Sequence, residues 1–481
     1  MLSRRRFIAL WPVPALAARG QGDAADYLGY VRKFADTLLA KGLDAYGPRR
    51  TPLWAGVIDA ATMTVPREAV SVPPPEGIRP QDRAVGGCNL YHDVVTLRVF
   101  HVLGALTKEP RYARAARDYA SFFLAHAQNP QTGLLGWGEH LYYDFFRDEV
   151  AVERRSHELL EWTPPWPVLW DANPEAVSRA IAGIRYHFYA DDPSSLFNRH
   201  AYWDRAEHQP PGGQPWIKHT GLYCYSFLFL YAKTGDPLWL RWARGTAELY
   251  WKHRNPGTNL TLGCIGDKRP STQDASPGMT ELAYWLYKGW QLAPAEKQLR
   301  ERARAYLAAF DRYFYDRERE SFRTSVSTAG EPLSEDTMRV WNTGYGELGP
   351  LPIGRIAAYI GRHEKEPAFI DLARRAAAIG RRTAMPDNVS QECVAFALNL
   401  SLDLYDHARN PQYLAEARRY ADTAIERFWY GKDGGGLFVR VPKDPYYEAK
   451  VGTGDLVAGL LRLHLRLNPS LGDPGVYDWS Y

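Results

Sequence analysis

An all-α protein, folded as a closed double ring of helical hairpins with long covering loops and little β-structure, an (α/α)6 toroid, is what this sequence predicts. Two patterns carry the expectation: a repeated helix joint, and an alternation between wholly apolar and amphipathic helices. The joint occurs four times, as Lys108-Glu109-Pro110-Arg111-Tyr112, Gly235-Asp236-Pro237-Leu238-Trp239, Lys365-Glu366-Pro367-Ala368-Phe369 and Arg409-Asn410-Pro411-Gln412-Tyr413. In each, an acidic or amide residue stands where a helix start favours a cap or a negative charge. Proline takes the first helical position, where no amide hydrogen bond is lost. The alternation is clearest around the second joint. Leu222 to Tyr231 is apolar nearly all round, whereas Pro237 to about His253 sets Trp239, Trp242, Ala243, Thr246 and Leu249 against Arg241, Arg244, Glu248 and Lys252. Val94–Leu106 and Tyr112–Leu124 repeat the contrast, which is that of an inner and an outer helical ring.

Helical runs are expected at 26–43, 90–106, 110–127, 155–163, 174–189, 219–234, 237–253, 278–292, 296–315, 350–361, 366–384, 389–407, 411–428 and 454–467. Fourteen runs exceed the twelve of six hairpins, so one or two should be short connecting helices, with 155–163 the weakest. The last run has no successor and is expected to close the ring on the first. The clearest strand is 436–441. No linker divides the chain, and Gly47 to Gly87 is read as a cover, so 18–481 is expected to be one catalytic domain.

Residues 1–17 have the pattern of an export signal, with Arg4-Arg5-Arg6-Phe7 resembling a twin-arginine motif and Ala15-Leu16-Ala17 suiting signal-peptidase cleavage. No later stretch is apolar for long enough to span a bilayer, so an exported periplasmic or extracellular protein is expected. The net charge of +4 is small, and its 59 Lys and Arg are scattered among 55 Asp and Glu, which excludes a basic nucleic-acid surface. The 16 Trp and 30 Tyr favour partly wet aromatic surfaces of the kind that bind sugar rings. Cys88, Cys224, Cys264 and Cys393 are far apart and form no ligand cluster; Cys224 and Cys393 lie in apolar runs and read as buried thiols.

Polar, aromatic-rich segments precede the inner helices, where the loops of a toroid gather at one mouth. They supply catalytic candidates Glu139, His140, His200, Tyr223 and Glu281. The expected substrate contacts are Asn89, His92, Trp137, Asp144, Asn198, Arg199, Tyr202, Lys218 and His219. Asp93 and Asp274 read more simply as helix-start and turn residues. Two chemistries suit such a set. Hydrolysis of a glycosidic bond needs two carboxylates, for which Glu139, Asp144, Glu281 and Glu347 are available. β-Elimination from a uronate needs a base, Tyr or His, with Asn198, Arg199 and His200 neutralising the developing enolate. In both, Arg199 would clamp a carboxylate. No ligand spacing is diagnostic, so no metal or cofactor is assigned; a calcium ion bridging a uronate carboxylate is the one cation left open.

The four joints, Trp137-Gly138-Glu139-His140, Asn198-Arg199-His200 and Lys218-His219-Thr220-Gly221 together resemble the six-hairpin superfamily of carbohydrate-active enzymes. That superfamily includes uronate-directed hydrolases, sugar epimerases and polysaccharide lyases. The likeness is narrowest to exported bacterial uronate-acting hydrolases of the glucuronidase type. Asn198-Arg199-His200-Ala201-Tyr202-Trp203 is also similar to the Asn-Asn-His segment of toroid alginate lyases, departing from it at Arg199. The resemblance implies an acidic poly- or oligosaccharide substrate. A secreted β-glucuronidase-type hydrolase is placed ahead of a lyase because many large toroid lyases append a β-rich domain and this chain shows none. A sugar epimerase and a non-catalytic sugar-binding protein follow.

Overall fold

The computed structural model describes residues 26–75, 77–152, 156–159, 162–269, 273–342, 347–432, 434–441 and 443–475. The expected signal at 1–17 lies outside them. Fourteen α-helices are found among the described residues: α1 Tyr27–Lys41, α2 Leu90–Thr107, α3 Pro110–His126, α4 Trp166–Ala172, α5 Pro174–Gly183, α6 Ile217–Thr234, α7 Pro237–His253, α8 Met279–Leu292, α9 Lys297–Phe314, α10 Pro350–Glu364, α11 Pro367–Arg382, α12 Gln391–Ala408, α13 Pro411–Phe428 and α14 Thr453–Leu467. The strands are short: β1 Val57–Asp59, β2 Gly87–Cys88, β3 Leu141–Asp144, β4 Glu149–Val152, β5 Ser156–His157, β6 Ala201–Tyr202, β7 Tyr315–Asp316, β8 Ser321–Phe322, β9 Trp429–Lys432, β10 Gly435–Phe438 and β11 Tyr446–Glu448.

The expected double ring is what forms. Inner helices α2, α6, α8, α10, α12 and α14 pack side by side in the order α6, α8, α10, α12, α14, α2, and each of the first five in sequence is backed by the outer helix that follows it. The sixth outer position is filled by α1, which packs on α14 and closes the ring as expected. Between α2 and α6 sits the surplus pair, α4 and α5, tied in by Trp166 Nε1 donating to Ser226 Oγ at 2.9 Å. The four joints share one geometry. The residue ahead of the cap, Lys108, Gly235, Lys365 or Arg409, ends the inner helix in the left-handed region (φ 53–71°), and proline opens the outer helix. Asp236 and Asn410 cap with their side chains, while Glu109 and Glu366 do not and act through charge at the helix start.

The run at 155–163 is a correction. Instead of a helix, its described residues form β5, paired antiparallel with β6, and a loop holding Glu158. His157 and Glu158 are both buried, and an isolated surface helix could not have satisfied them. Conversely, α4 was hidden by Pro164, Pro165 and Pro167, which read as a loop although proline is tolerated in a first turn. The expected strand at 436–441 is β10, ending at Phe438 and paired with β9. The four cysteines are buried and form no disulfide, and no helix of the described residues is long and apolar enough to cross a membrane.

Asp93 lies wholly buried inside α2, its Oδ2 accepting from Tyr119 Oη at 2.8 Å. Burial pushes its carboxyl up to about 8. Its unfolded counterpart ionises near 3.8, so the folded state binds the extra proton between these values and stability falls as pH rises through that window. Asp93→Asn removes this slope. Its melting temperature should exceed the parent's by several degrees at pH 8.5 and by much less at pH 5, measured by thermal melts of both proteins at each pH.

Candidate active site

Glu158 is the centre of the constellation. The β5–β6 ladder pairs His157 with Ala201, setting Glu158 beside His200. His200 Nε2 lies 3.1 Å from Glu158 Oε2, and His219 Nε2, in the first turn of α6, lies 3.2 Å from Oε1. Arg199 Nη1 approaches Oε1 at 3.7 Å, and His140 Nε2 stands 4.0 Å from Oε2 and 3.7 Å from Glu139 Oε1. Glu139 in turn pairs with Arg79, which also binds Asp82 at 2.9 Å, so the covering loop reaches the site.

Local sequence explains how Glu139 arrives there. Asn89, the N-cap of α2, accepts from Tyr91 N and Gly138 N and donates to Gly138 O at 2.6 Å. Gly138 has φ 98°, and a Cβ on it would come 2.3 Å from the Glu158 carbonyl oxygen. Only glycine lets the two acid-bearing segments meet so closely.

Burial pushes the Glu158 carboxyl up, but the facing imidazoles of His200 and His219 outweigh it and hold the group well below the usual carboxylate range. Burial takes His219 down to about 4, against the pull of Glu158. The site at neutral pH therefore presents an anionic carboxylate facing a neutral His219. The contacts are close, yet Glu158 Oε1 and Oε2, His200 Nε2 and His219 Nε2 are buried without hydrogen-bond geometry to any partner. Lone pairs that face one another in this way suit a shared cation. One donor atom each from Glu139, His140, Glu158 and His200 lies within 4.8 Å of the others. Two imidazoles with two carboxylates suit a divalent transition ion better than calcium, which prefers an all-oxygen shell.

The structure gathers Glu139, His140, Arg199, His200 and His219 of the sequence-predicted set around Glu158, which sequence reasoning missed. Asn89 and Asn198 support the site: Asn198 Oδ1 accepts from His200 N at 3.1 Å. Lys218 sits half-buried beside His219, and Tyr202 lies half-buried under the Arg205 guanidinium. Four expectations are corrected. Tyr223 is fully buried and bonded to His187, so it cannot serve as a base. Trp137 is sealed in the core, edge-on to Tyr91, and offers no face to a sugar. Asp144 ends β3 and accepts from Phe146 N and Arg147 N, a turn role. His92 is buried in α2, its imidazole held well below its usual range by burial. Glu281 is buried in the first turn of α8. Trp216, the N-cap of α6, was also missed. It is half-buried, with the Arg199 and Arg269 guanidinium groups 5.9 and 5.8 Å from its ring.

Residues 79–277 match a family model described as periplasmic pectate lyase, a span that contains every member of this constellation. Among solved structures, a cellobiose 2-epimerase from Spirochaeta thermophila is 14% identical over 77% of this chain and 98% of that one, with a TM-score of 0.51. The fold is that of the (α/α)6 toroids. A family 76 glycoside hydrolase from a bovine Bacteroides thetaiotaomicron strain (12% identity, 92% and 78% of the two chains, TM-score 0.47) is also similar. So is an unsaturated glucuronyl hydrolase from Bacillus sp. GL1 (14%, 64% and 87%, 0.41). No curated protein sequence matches the chain significantly.

Proposed function

We propose that this protein is an exported, periplasmic polysaccharide lyase that cleaves a pectate-type uronate polymer by β-elimination, with a divalent transition-metal ion held by Glu139, His140, Glu158 and His200. The observation that carries the proposal is the buried cluster of two carboxylates and two imidazoles, lying wholly within the span that matches the pectate lyase model. A bound cation would neutralise the substrate carboxylate and so acidify the adjacent C–H. The chain's own residues supply the rest. Arg199, whose side chain is 22% exposed, presents a guanidinium to the acidic sugar at the mouth. The proton acceptor must be reachable by substrate, which excludes Tyr223 and His219; Arg199 and Lys218 at that edge serve as cations facing the acidic sugar.

The hydrolase reading loses ground on electrostatics. A glycosidase needs one carboxylic acid kept protonated near neutral pH beside an ionised base or nucleophile; Glu158, held ionised, fits only the second of these roles.

The test is to strip the purified protein with chelator, then assay polygalacturonate with and without added Mn(II), reading both ultraviolet absorbance of unsaturated ends and reducing sugar. Absorbance should appear with Mn(II), vanish on chelation and be absent on fully methyl-esterified pectin. Reducing ends without absorbance would overturn the lyase in favour of a hydrolase.

A further inference from the structure

We propose that His157, His187 and Tyr223 form a directed hydrogen-bond chain that holds the Arg199-His200 segment against Glu158, making all three positioning residues of the site. His157 Nδ1 lies 2.9 Å from His187 Nε2. His187 Nδ1 lies 3.0 Å from both Asn198 O and Tyr223 Oη, and Tyr223 Oη lies 3.5 Å from Arg199 O. The direction follows from what each atom can do. Asn198 O only accepts, so His187 Nδ1 carries its hydrogen. His187 Nε2 is then bare and accepts from His157 Nδ1–H. The Tyr223 hydroxyl is left to donate to Arg199 O. The single Nδ1 hydrogen of His187 is shared between Asn198 O and Tyr223 Oη, so every contact has a donor and an acceptor with all three groups neutral.

The two ends of the chain matter most. His157 immediately precedes Glu158, and the carbonyls of Asn198 and Arg199 immediately precede His200. The chain therefore spans both segments that meet at the constellation, through side chains that are sealed from solvent. Filling the same space with apolar rings would avoid the cost of burying polar atoms, so three polar groups are retained for something other than bulk. Each bond contributes only about 1 kcal/mol to stability. A shift of about 1 Å in Arg199 or His200, by contrast, can cost about 100-fold in rate.

Only the activity arm of the test rests on the lyase reading. The full-length protein is compared with Tyr223→Phe, His187→Phe and His187→Asn, the last retaining a donor near the Nδ1 position. His187→Phe should weaken Mn(II) binding about tenfold and lower kcat about 10- to 100-fold. Its KM should stay close to the parent's and its melting temperature should fall by only a few degrees, Tyr223→Phe should lower kcat in the same direction, and His187→Asn should recover much of the loss. Ring-nitrogen NMR of histidine-labelled, metal-free protein should show His157 and His187 as neutral Nδ1–H tautomers from pH 5 to 8. A charged ring or an Nε2–H tautomer at either position overturns the chain. So do variants that keep parental Mn(II) affinity and kcat, or His187→Asn and His187→Phe failing equally with a collapsed melting temperature. Absence of unsaturated product from the parent would count against the lyase alone, the chain then being judged on Mn(II) binding and NMR.

Discussion

Glu158→Gln is expected to lower kcat on polygalacturonate by at least about 100-fold and to abolish tight Mn(II) binding, while the melting temperature stays within a few degrees of the parent. The rate falls because Glu158 is the group on which His200, His219 and Arg199 converge. The fold survives because Gln fills the same space and its amide can still meet the facing ring nitrogens of His200 and His219. Glu139→Gln and His200→Ala should act in the same direction. Steady-state kinetics with added Mn(II), metal titration and thermal melts decide the matter. Parental activity would remove Glu158 from the chemistry, and a collapsed melting temperature would make it a structural residue.

The ring was legible because its determinants are local. A capping residue, a proline and a following aromatic act within one turn of helix, and the closure of α14 on α1 follows from a last run without a successor. Much of the mouth was legible for the same reason, since Glu139 and His140 follow the Gly138 turn and His219 stands in the first turn of α6, while Arg199 and His200 stood out in the polar, aromatic segment from Asn198 to Trp203. Glu158 was not. Its segment looks like a weak helix, and its meaning arises only when β5 pairs with β6 far along the chain. The one local hint was an acid set between His157 and Leu159 just ahead of Pro164-Pro165, a poor site for an exposed helix. Trp137 and Tyr223 were misassigned in the reverse way. Beside polar residues Trp137 looks like a sugar contact and Tyr223 like a catalytic base, but exposure decides whether either can touch a substrate, and exposure is a property of packing.

Arg83→Ala is expected to cost about 3–5 kcal/mol of stability, read from denaturant unfolding of the variant against the parent. Arg83 and Glu448 are each 1% exposed and meet through two bonds, Nε to Oε1 at 2.6 Å and Nη2 to Oε2 at 2.9 Å. Arg83 Nη1 also donates to Val72 O at 2.7 Å. Truncating the arginine leaves the Glu448 carboxylate buried with, among the described residues, Arg440 as its remaining ion-pair partner, at 3.5 Å. The double variant Arg83→Met/Glu448→Leu, which removes both charges, should recover much of the loss. Fold and function meet at this pair. Glu448 ends β11, which pairs with β1, and Arg83 lies four residues beyond Arg79, the partner of Glu139. The ion pair thus pins the covering loop to the C-terminal part of the ring and carries Arg79 to the site. Arg83→Ala should therefore also raise KM for polygalacturonate in the fraction that remains folded. A loss below about 1 kcal/mol, with KM unchanged, would show that the cover is held by β1 and its apolar packing instead.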